Sequence, residues 1–165
     1  MKHKLWQFEL PIILLVFFAN RMSKLWVVDT LPFAERVPLI PGFVSFFYVT
    51  NTGAAFGILS GQRMLFTAVS VMVLFGILLL RRELTEDRLS LKLAWSLIVA
   101  GTAGNLYDRL LSGEVVDFLA FDFMDFGIFN LADVALCTGF ALYLLVGMLS
   151  GKPKHQGSEA GDGSG

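Results

Sequence analysis

The chain has 165 residues, of which 55% are hydrophobic and 16% charged, and its mean hydropathy is +0.67. So apolar a composition argues against an ordinary soluble domain and predicts a polytopic membrane protein. The net charge of −1 predicts no nucleic-acid partner, and the single cysteine, Cys137, excludes an internal disulfide, so we expect a small buried hydrophobe there.

Four apolar segments are long enough, or nearly so, to cross a bilayer core of about 30 Å, which needs about 20 helical residues. They cover residues 10–28, 64–80, 91–107 and 128–149. The first resembles a cleaved signal peptide, but Asn20, Arg21 and Lys24 interrupt it and no small-residue cleavage site follows. We therefore predict four transmembrane helices in a single domain of residues 1–150, followed by a disordered polar tail at 151–165.

Residues 43–49 differ from the helical segments because they are aromatic and β-branched. Pro41-Gly42 precedes them and Asn51-Thr52-Gly53 follows, and such turn residues are typical of strand ends. We predict a small extracytoplasmic β-sheet that rests on the membrane surface, in which this strand pairs with the segment around residues 115–123.

Basic residues predict the orientation of the helices. Those at the two ends of the chain and between the second and third apolar segments fall on one face: Lys2, Lys4, Arg81, Arg82, Arg88, Lys152 and Lys154. The positive-inside rule assigns that face to the cytoplasm, together with both termini. The opposite face carries the acidic residues Asp108, Glu114, Asp117, Asp122 and Asp125, with Asp133 just inside the membrane.

Asp117 and Asp133 are the leading candidates for a catalytic site. A carboxylate within a membrane segment costs about 2.5–3.5 kcal/mol on insertion scales, so its presence there favours a function. Two adjacent carboxylates cannot both ionise readily, and the pair then shares one proton and can act as acid and base on a peptide bond. The two histidines, His3 and His155, lie in the polar ends, which argues against a Ser-His or Cys-His site and against a His-ligated metal.

The other charged residues have simpler interpretations. We expect Asp122 and Asp125 to be solvated loop charges, and Asp108 to form an ion pair with its neighbour Arg109. Arg21 and Lys24 are expected to extend towards the outer headgroups. On a helix, Asn105 shares a face with Asp108 and Arg109, and Asn130 shares one with Asp133.

With these residues in view, the chain resembles bacterial lipoprotein signal peptidase, also called signal peptidase II. Four segments carry the resemblance in the family's order: Asn51-Thr52-Gly53-Ala54-Ala55-Phe56, Gly104-Asn105-Leu106-Tyr107-Asp108-Arg109-Leu110, Val115-Val116-Asp117-Phe118 and Phe129-Asn130-Leu131-Ala132-Asp133. One segment alone would be a weak signal, whereas four in order on a chain with four apolar segments are specific.

The resemblance implies a metal-free aspartyl endopeptidase of the bacterial inner membrane, with four helices, a β cradle and the active site at the outer face. Such enzymes cut prolipoproteins just before a cysteine that carries diacylglycerol, and globomycin inhibits them. The implied partners are therefore the prolipoprotein, membrane lipids and globomycin-type inhibitors, and we expect a monomer without cofactors. Asp117 and Asp133 match the catalytic pair, and the supporting positions are Lys24, Asn51, Gly53, Gly104, Asn105, Asp108, Arg109 and Asn130.

One position departs from the pattern of this family. The family usually has an aspartate four residues before the lysine of its first helix, and Asn20 stands there, which leaves Arg21 and Lys24 less neutralised.

A Mg²⁺-dependent lipid-modifying transferase could use the outward aspartates as metal ligands. A small transporter is a third possibility, although the carboxylates cluster at one end of the helices.

Overall fold

A computed structural model describes residues 7–53, 62–85 and 88–149. The elements in chain order are α1 (Glu9–Thr30), β1 (Arg36–Ile40), β2 (Val44–Asn51), α2 (Arg63–Leu79), α3 (Arg81–Thr85), α4 (Leu89–Leu111), β3 (Val115–Phe121) and α5 (Leu131–Leu149). The predicted tail at 151–165, the basic residues Lys2, Lys4, Lys152 and Lys154, and Ala54-Ala55-Phe56 lie outside the described residues.

Within the described ranges, three helices are long and apolar enough to cross a membrane: α1, α4 and α5. The remaining long helix, α2, is also apolar but has 17 residues, which corresponds to about 25 Å at about 1.5 Å per residue. Three of the four predicted spans are therefore supported by length and composition. The fourth span stays a prediction.

Helix α4 is the centre of the bundle and packs against α1, α2 and α5. Small residues let α4 and α5 approach closely, as in many membrane helix pairs. A Cβ at Gly101 would lie 2.4 Å from the backbone oxygen of Ala132, and one at Gly139 would lie 2.7 Å from that of Ala94. The contact at Ala132 sets the first turn of α5, which carries Asp133, directly against α4.

We expect Gly101→Ala to destabilise the protein by about 1–3 kcal/mol, because the added methyl group meets backbone that cannot rotate away. A lower midpoint of thermal unfolding in detergent would measure this. Gly76→Ala in α2 is the matched control, since a Cβ there meets nothing within 4 Å, and its midpoint should stay equal or rise slightly. Equal midpoints for the two variants would contradict the close α4–α5 contact.

The sheet has three antiparallel strands in the order β1-β2-β3. The strand predicted at 43–49 and its pairing with the segment around 115–123 are confirmed by β2 and β3. Sequence patterns did not predict β1, an exposed edge strand that contains Pro38, which is tolerated only at such an edge. The register sets Val49 opposite Asp117 and Asn51 opposite Val115, so the end of β2 lies beside Asp117.

Three residues lie in surroundings that differ from the expectation. Arg81, counted among the basic loop residues, is buried in α3, where it forms an ion pair with buried Glu9. Asp122 is not a free loop charge, because it accepts hydrogen bonds from Ser45 (2.7 Å) and Arg36, and these lower its pKa. Cys137 is exposed rather than buried, because the buried face of α5 is the one that carries Ala132, Ala135 and Gly139.

Candidate active site

Asn130 and Asp133 form a reciprocal cap at the start of α5. The Asn130 Oδ1 accepts hydrogen bonds from the backbone N–H groups of Ala132 (2.7 Å) and Asp133 (3.3 Å). In return, the Asp133 Oδ2 accepts one from the Asn130 backbone N–H at 3.0 Å. This capping-box arrangement fixes the direction of both side chains and favours a negative charge at the helix N-terminus. The i, i+3 spacing predicted a shared face, but not the cap.

Asp117 lies on β3 with 3% of its surface exposed, and two amide groups surround its carboxyl group. The Asn51 Nδ2 donates to its Oδ2 at 2.9 Å, and the Asn130 Nδ2 donates to its Oδ1 at 2.6 Å. The amides are held in this orientation because the Asn51 Oδ1 accepts from the Gly53 N–H, just as the Asn130 Oδ1 accepts from α5. Burial, with a smaller contribution from nearby Asp133, raises the pKa of Asp117 to about 6 despite the two hydrogen bonds.

Asn105 of α4 connects the two carboxylates. Its Nδ2 donates to the Asp133 Oδ1 at 2.7 Å. Its Oδ1 accepts from the Asn130 Nδ2 at 3.2 Å and from the Lys24 Nζ at 3.0 Å. Asp117 and Asp133 are therefore joined through two asparagines that come from different parts of the chain.

A buried ion pair lies behind Asn105. The Lys24 Nζ is 2.5 Å from the Asp108 Oδ2, and the two residues are 1% and 3% exposed. Arg21 adds a longer contact of 3.4 Å to the other Asp108 oxygen. Lys24 thus does not extend to the headgroups, and Asp108 pairs with α1, whereas a pair with Arg109 was predicted.

Asn20, the position that departs from the family, has a different contact. It is buried, and its Oδ1 accepts a hydrogen bond from the Ala132 backbone N–H at 3.1 Å. A Cβ at Gly104 would lie 2.7 Å from its Nδ2, so the glycine makes room for this side chain. Asn20 therefore contributes to the cap of α5, and Asp108 supplies the charge that faces Arg21 and Lys24.

Arg109 connects the end of α4 to the turn after β2. Its Nη2 donates to the Gly53 carbonyl oxygen and its Nη1 to the Asn105 carbonyl oxygen, both at 3.4 Å. Its guanidinium carbon also lies 5.8 Å from the centre of the Phe66 ring in α2. Arg109 therefore joins β2, α2 and α4 around the site.

Asp117 and Asp133 line one cavity of about 460 Å³, which we call the Asp cavity. Its polar wall also includes Asn51, Asn105 and Arg109. Its apolar wall runs down α5 and along the preceding loop, and includes Phe121, Phe126, Ile128, Phe129, Val134, Leu136 and Cys137. Several predicted supporting residues do not line the cavity, although each contacts a residue of the site or its neighbours: Lys24, Gly104, Asp108 and Asn130.

A metal site was the alternative for the outward aspartates. In the part of the chain that the structure describes, no three histidine, cysteine, aspartate or glutamate side chains converge as ligands. The acidic residues are instead distributed between the ion pair at Asp108, the pair of Asp117 and Asp133, and the sheet edge at Asp122.

Comparisons with known proteins agree on one family. A profile of signal peptidase (SPase) II matches residues 12–149. The chain is 46% identical over 150 residues to the lipoprotein signal peptidase of Shewanella piezotolerans, covering 86% of each chain. It is 39% identical to that of Streptococcus pneumoniae over 138 residues, covering 84% of this chain and 90% of the relative. A solved bacterial membrane enzyme superposes with a TM-score of 0.80 at 31% identity, over 92% of this chain and 93% of its own.

Proposed function

Because this chain belongs to the signal peptidase II family and is thus a protease that removes lipoprotein signal peptides, we propose that Asp117 and Asp133 are its catalytic pair. The observation that carries the proposal is that both carboxylates line one cavity and are joined through Asn130 and Asn105. The family membership does not favour the lipid-modifying transferase.

The chemistry divides between the two carboxylates. One of them, ionised, deprotonates a water molecule, and the other, protonated, donates to the carbonyl oxygen of the scissile peptide bond. Burial supports Asp117 as the protonated member, because it raises the pKa of that carboxyl group. Asp133 is the base in this scheme, and hydrogen bonds from the Asn105 Nδ2 and the Asn130 backbone N–H orient its carboxylate.

The remaining site residues act by positioning these two. Asn51, Asn105 and Asn130 orient the carboxylates directly. Lys24 holds the Asn105 side chain, and Asp108 holds Lys24. Arg109 holds the turn at Gly53, and Gly104 admits Asn20 to the cap of α5. We assign no cofactor to this mechanism.

The proposed substrate is a prolipoprotein whose cysteine already carries diacylglycerol, cut just before that cysteine. The Asp cavity suits such a substrate because one wall is polar for the peptide and the other is apolar along α5. Globomycin-type cyclic peptides would occupy the same cavity. We further propose that the protein is a monomer surrounded by the lipid of the inner membrane, which it crosses with four helices, α2 included. In this orientation both termini are cytoplasmic and the Asp cavity lies at the outer face.

The direct test is cleavage of a diacylglyceryl-modified prolipoprotein by the purified chain in detergent with EDTA present. We expect cleavage before the modified cysteine, and inhibition by globomycin. The unmodified precursor is the matched control and should be cut far more slowly. Cleavage that appears only after Mg²⁺ is restored would contradict the metal-free mechanism.

The pH dependence of stability tests the environment of Asp117. Because burial raises its pKa from 3.8 to about 6, the folded state binds the proton more tightly than the unfolded state does. The stability from this group is complete below pH 3.8 and is lost as the pH rises through about 6. The unfolding midpoint of the wild type should therefore fall relative to that of Asp117→Asn between pH 4 and 7, about the interval between the two pKa values. A constant difference would contradict the raised pKa.

A further inference from the structure

A group of exposed apolar side chains lies where the sheet meets the start of α5. We call Phe43, Phe123, Met124 and Phe126 the aromatic patch; they are 51%, 55%, 47% and 46% exposed. The Phe43 and Phe123 rings stack at 4.9 Å between centroids. Contiguous apolar surfaces of this kind mark contacts with a protein or a membrane.

The patch is built as one unit from two segments. The Asp122 backbone N–H donates to the Phe43 carbonyl oxygen at 3.0 Å, which ties the turn before β2 to the loop after β3. Beneath the patch, the Phe121 ring lies 5.2 Å from Phe123 and 5.8 Å from Phe126. The exposed rings are thus held in place by packing within the protein, and would be presented together to a partner.

The position of the patch points to lipid as that partner. Its loop leads into α5, which begins at Leu131 and is long and apolar enough to cross a membrane. The patch therefore lies within a few residues of a membrane entry point, the level at which aromatic side chains are enriched in membrane proteins. Phe126 of the patch lines the same cavity as Val134 of α5, which is 41% exposed.

The charged residues near the aromatic patch indicate whether lipid charge or apolar burial would hold the patch at the membrane. Residues 122–129 contain Asp122 and Asp125 and no basic residue. Arg36, which contacts this segment, is paired with Asp122. Attraction to anionic headgroups therefore cannot hold the patch at the membrane, which leaves burial of aromatic surface as the driving force.

We propose that the aromatic patch inserts into the headgroup region of the bilayer and holds the mouth of the Asp cavity at that level. Phe121 and Phe126 form part of the cavity wall, so an inserted patch places this wall against lipid. A substrate anchored in the same leaflet could then enter by lateral diffusion. The proposal rests on the proposed function only in this last step, because insertion itself requires no cleavage.

The test places a fluorophore in the patch and measures its depth. The label is attached at Phe123→Cys in a Cys137→Ala background, in vesicles of phosphatidylcholine that contain lipids spin-labelled near the headgroup or near the end of the acyl chain. We expect the headgroup label to quench about twofold more strongly than the deep label, and iodide to quench less than at the aqueous control, as for an interfacial residue. Adding anionic phosphatidylglycerol should change neither. Glu35→Cys, at an exposed position directly before β1 on the same face of the protein, serves as the aqueous control.

Several results would overturn the proposal. Iodide quenching equal to that at Glu35→Cys would place the patch in water. Quenching mainly by the deep label would place it in the membrane core. Insertion that requires anionic lipid would show that electrostatic attraction, rather than burial of aromatic surface, holds the patch. A second label at Met124→Cys guards against local disturbance of the ring stack by the Phe123 substitution. A wild-type protein that fails to cleave prolipoprotein would refute the proposed function without altering the measured depth.

Discussion

Replacing Asp117 or Asp133 by asparagine is expected to lower kcat by about a thousandfold or more, since each variant lacks one proton-transfer group of the pair. The fold should survive both changes. Asparagine keeps the size of aspartate, and a buried Asp117 with a raised pKa gains little stability from its charge. Single-turnover cleavage of the modified prolipoprotein, with unfolding midpoints in parallel, would measure the two effects separately.

The double variant gives a sharper form of this prediction. If the two carboxylates act as one unit, Asp117→Asn/Asp133→Asn should be about as inactive as either single variant, since groups of one catalytic unit are strongly non-additive. Multiplied losses would indicate two independent contributions. Activity that survives in one single variant would assign that residue to structure alone.

Asp125→Asn is the matched control for these variants. Asp125 is an exposed aspartate in the loop between β3 and α5, between Asp117 and Asp133 in sequence. Because the substitution is the same and the side chain is not among those lining the Asp cavity, we expect cleavage close to that of the wild type. A large loss at Asp125 would show that charge in this region, rather than the pair, controls the rate.

Lys24→Met is expected to cause the largest loss of stability, about 3–5 kcal/mol, because it leaves a buried carboxylate without its principal cation. Among the described residues, Arg21 would be the remaining cation at Asp108, through a contact of 3.4 Å from a side chain that is 33% exposed. The free energy of unfolding in detergent would measure the loss. Cleavage should also fall, since Lys24 holds the Asn105 amide that donates to Asp133.

Two further variants test this explanation. Adding Asp108→Asn to Lys24→Met should recover part of the stability, because removing both charges costs less than leaving one of them buried. Arg36→Gln breaks an ion pair at an exposed position of the sheet edge and should change stability little. If Lys24→Met were no more harmful than Arg36→Gln, the buried pair would not stabilise the fold.

Local sequence determined the elements and the identity of the candidate residues. Hydrophobic run length predicted α1, α4 and α5 to within a few residues, and a run of aromatic and β-branched residues between turn signals predicted β2. These signals succeed because transfer into lipid and strand pairing depend on consecutive residues. The edge strand β1 and the short helix α3 gave no such signal, since β1 is exposed and contains Pro38, and α3 has only five residues.

Only the tertiary structure decided which polar groups meet. The ion pair of Asp108 with Lys24 joins residues 84 positions apart, and the contact of Asn51 with Asp117 joins residues 66 apart. Neither can be read from a local pattern, because a polar group removed from water pairs with whatever partner the packing of the helices and the register of the sheet bring within reach. The sequence by itself thus determined the family and singled out the two candidate aspartates. The close α4–α5 contact and the β2–β3 register determined the network of hydrogen bonds that orients them.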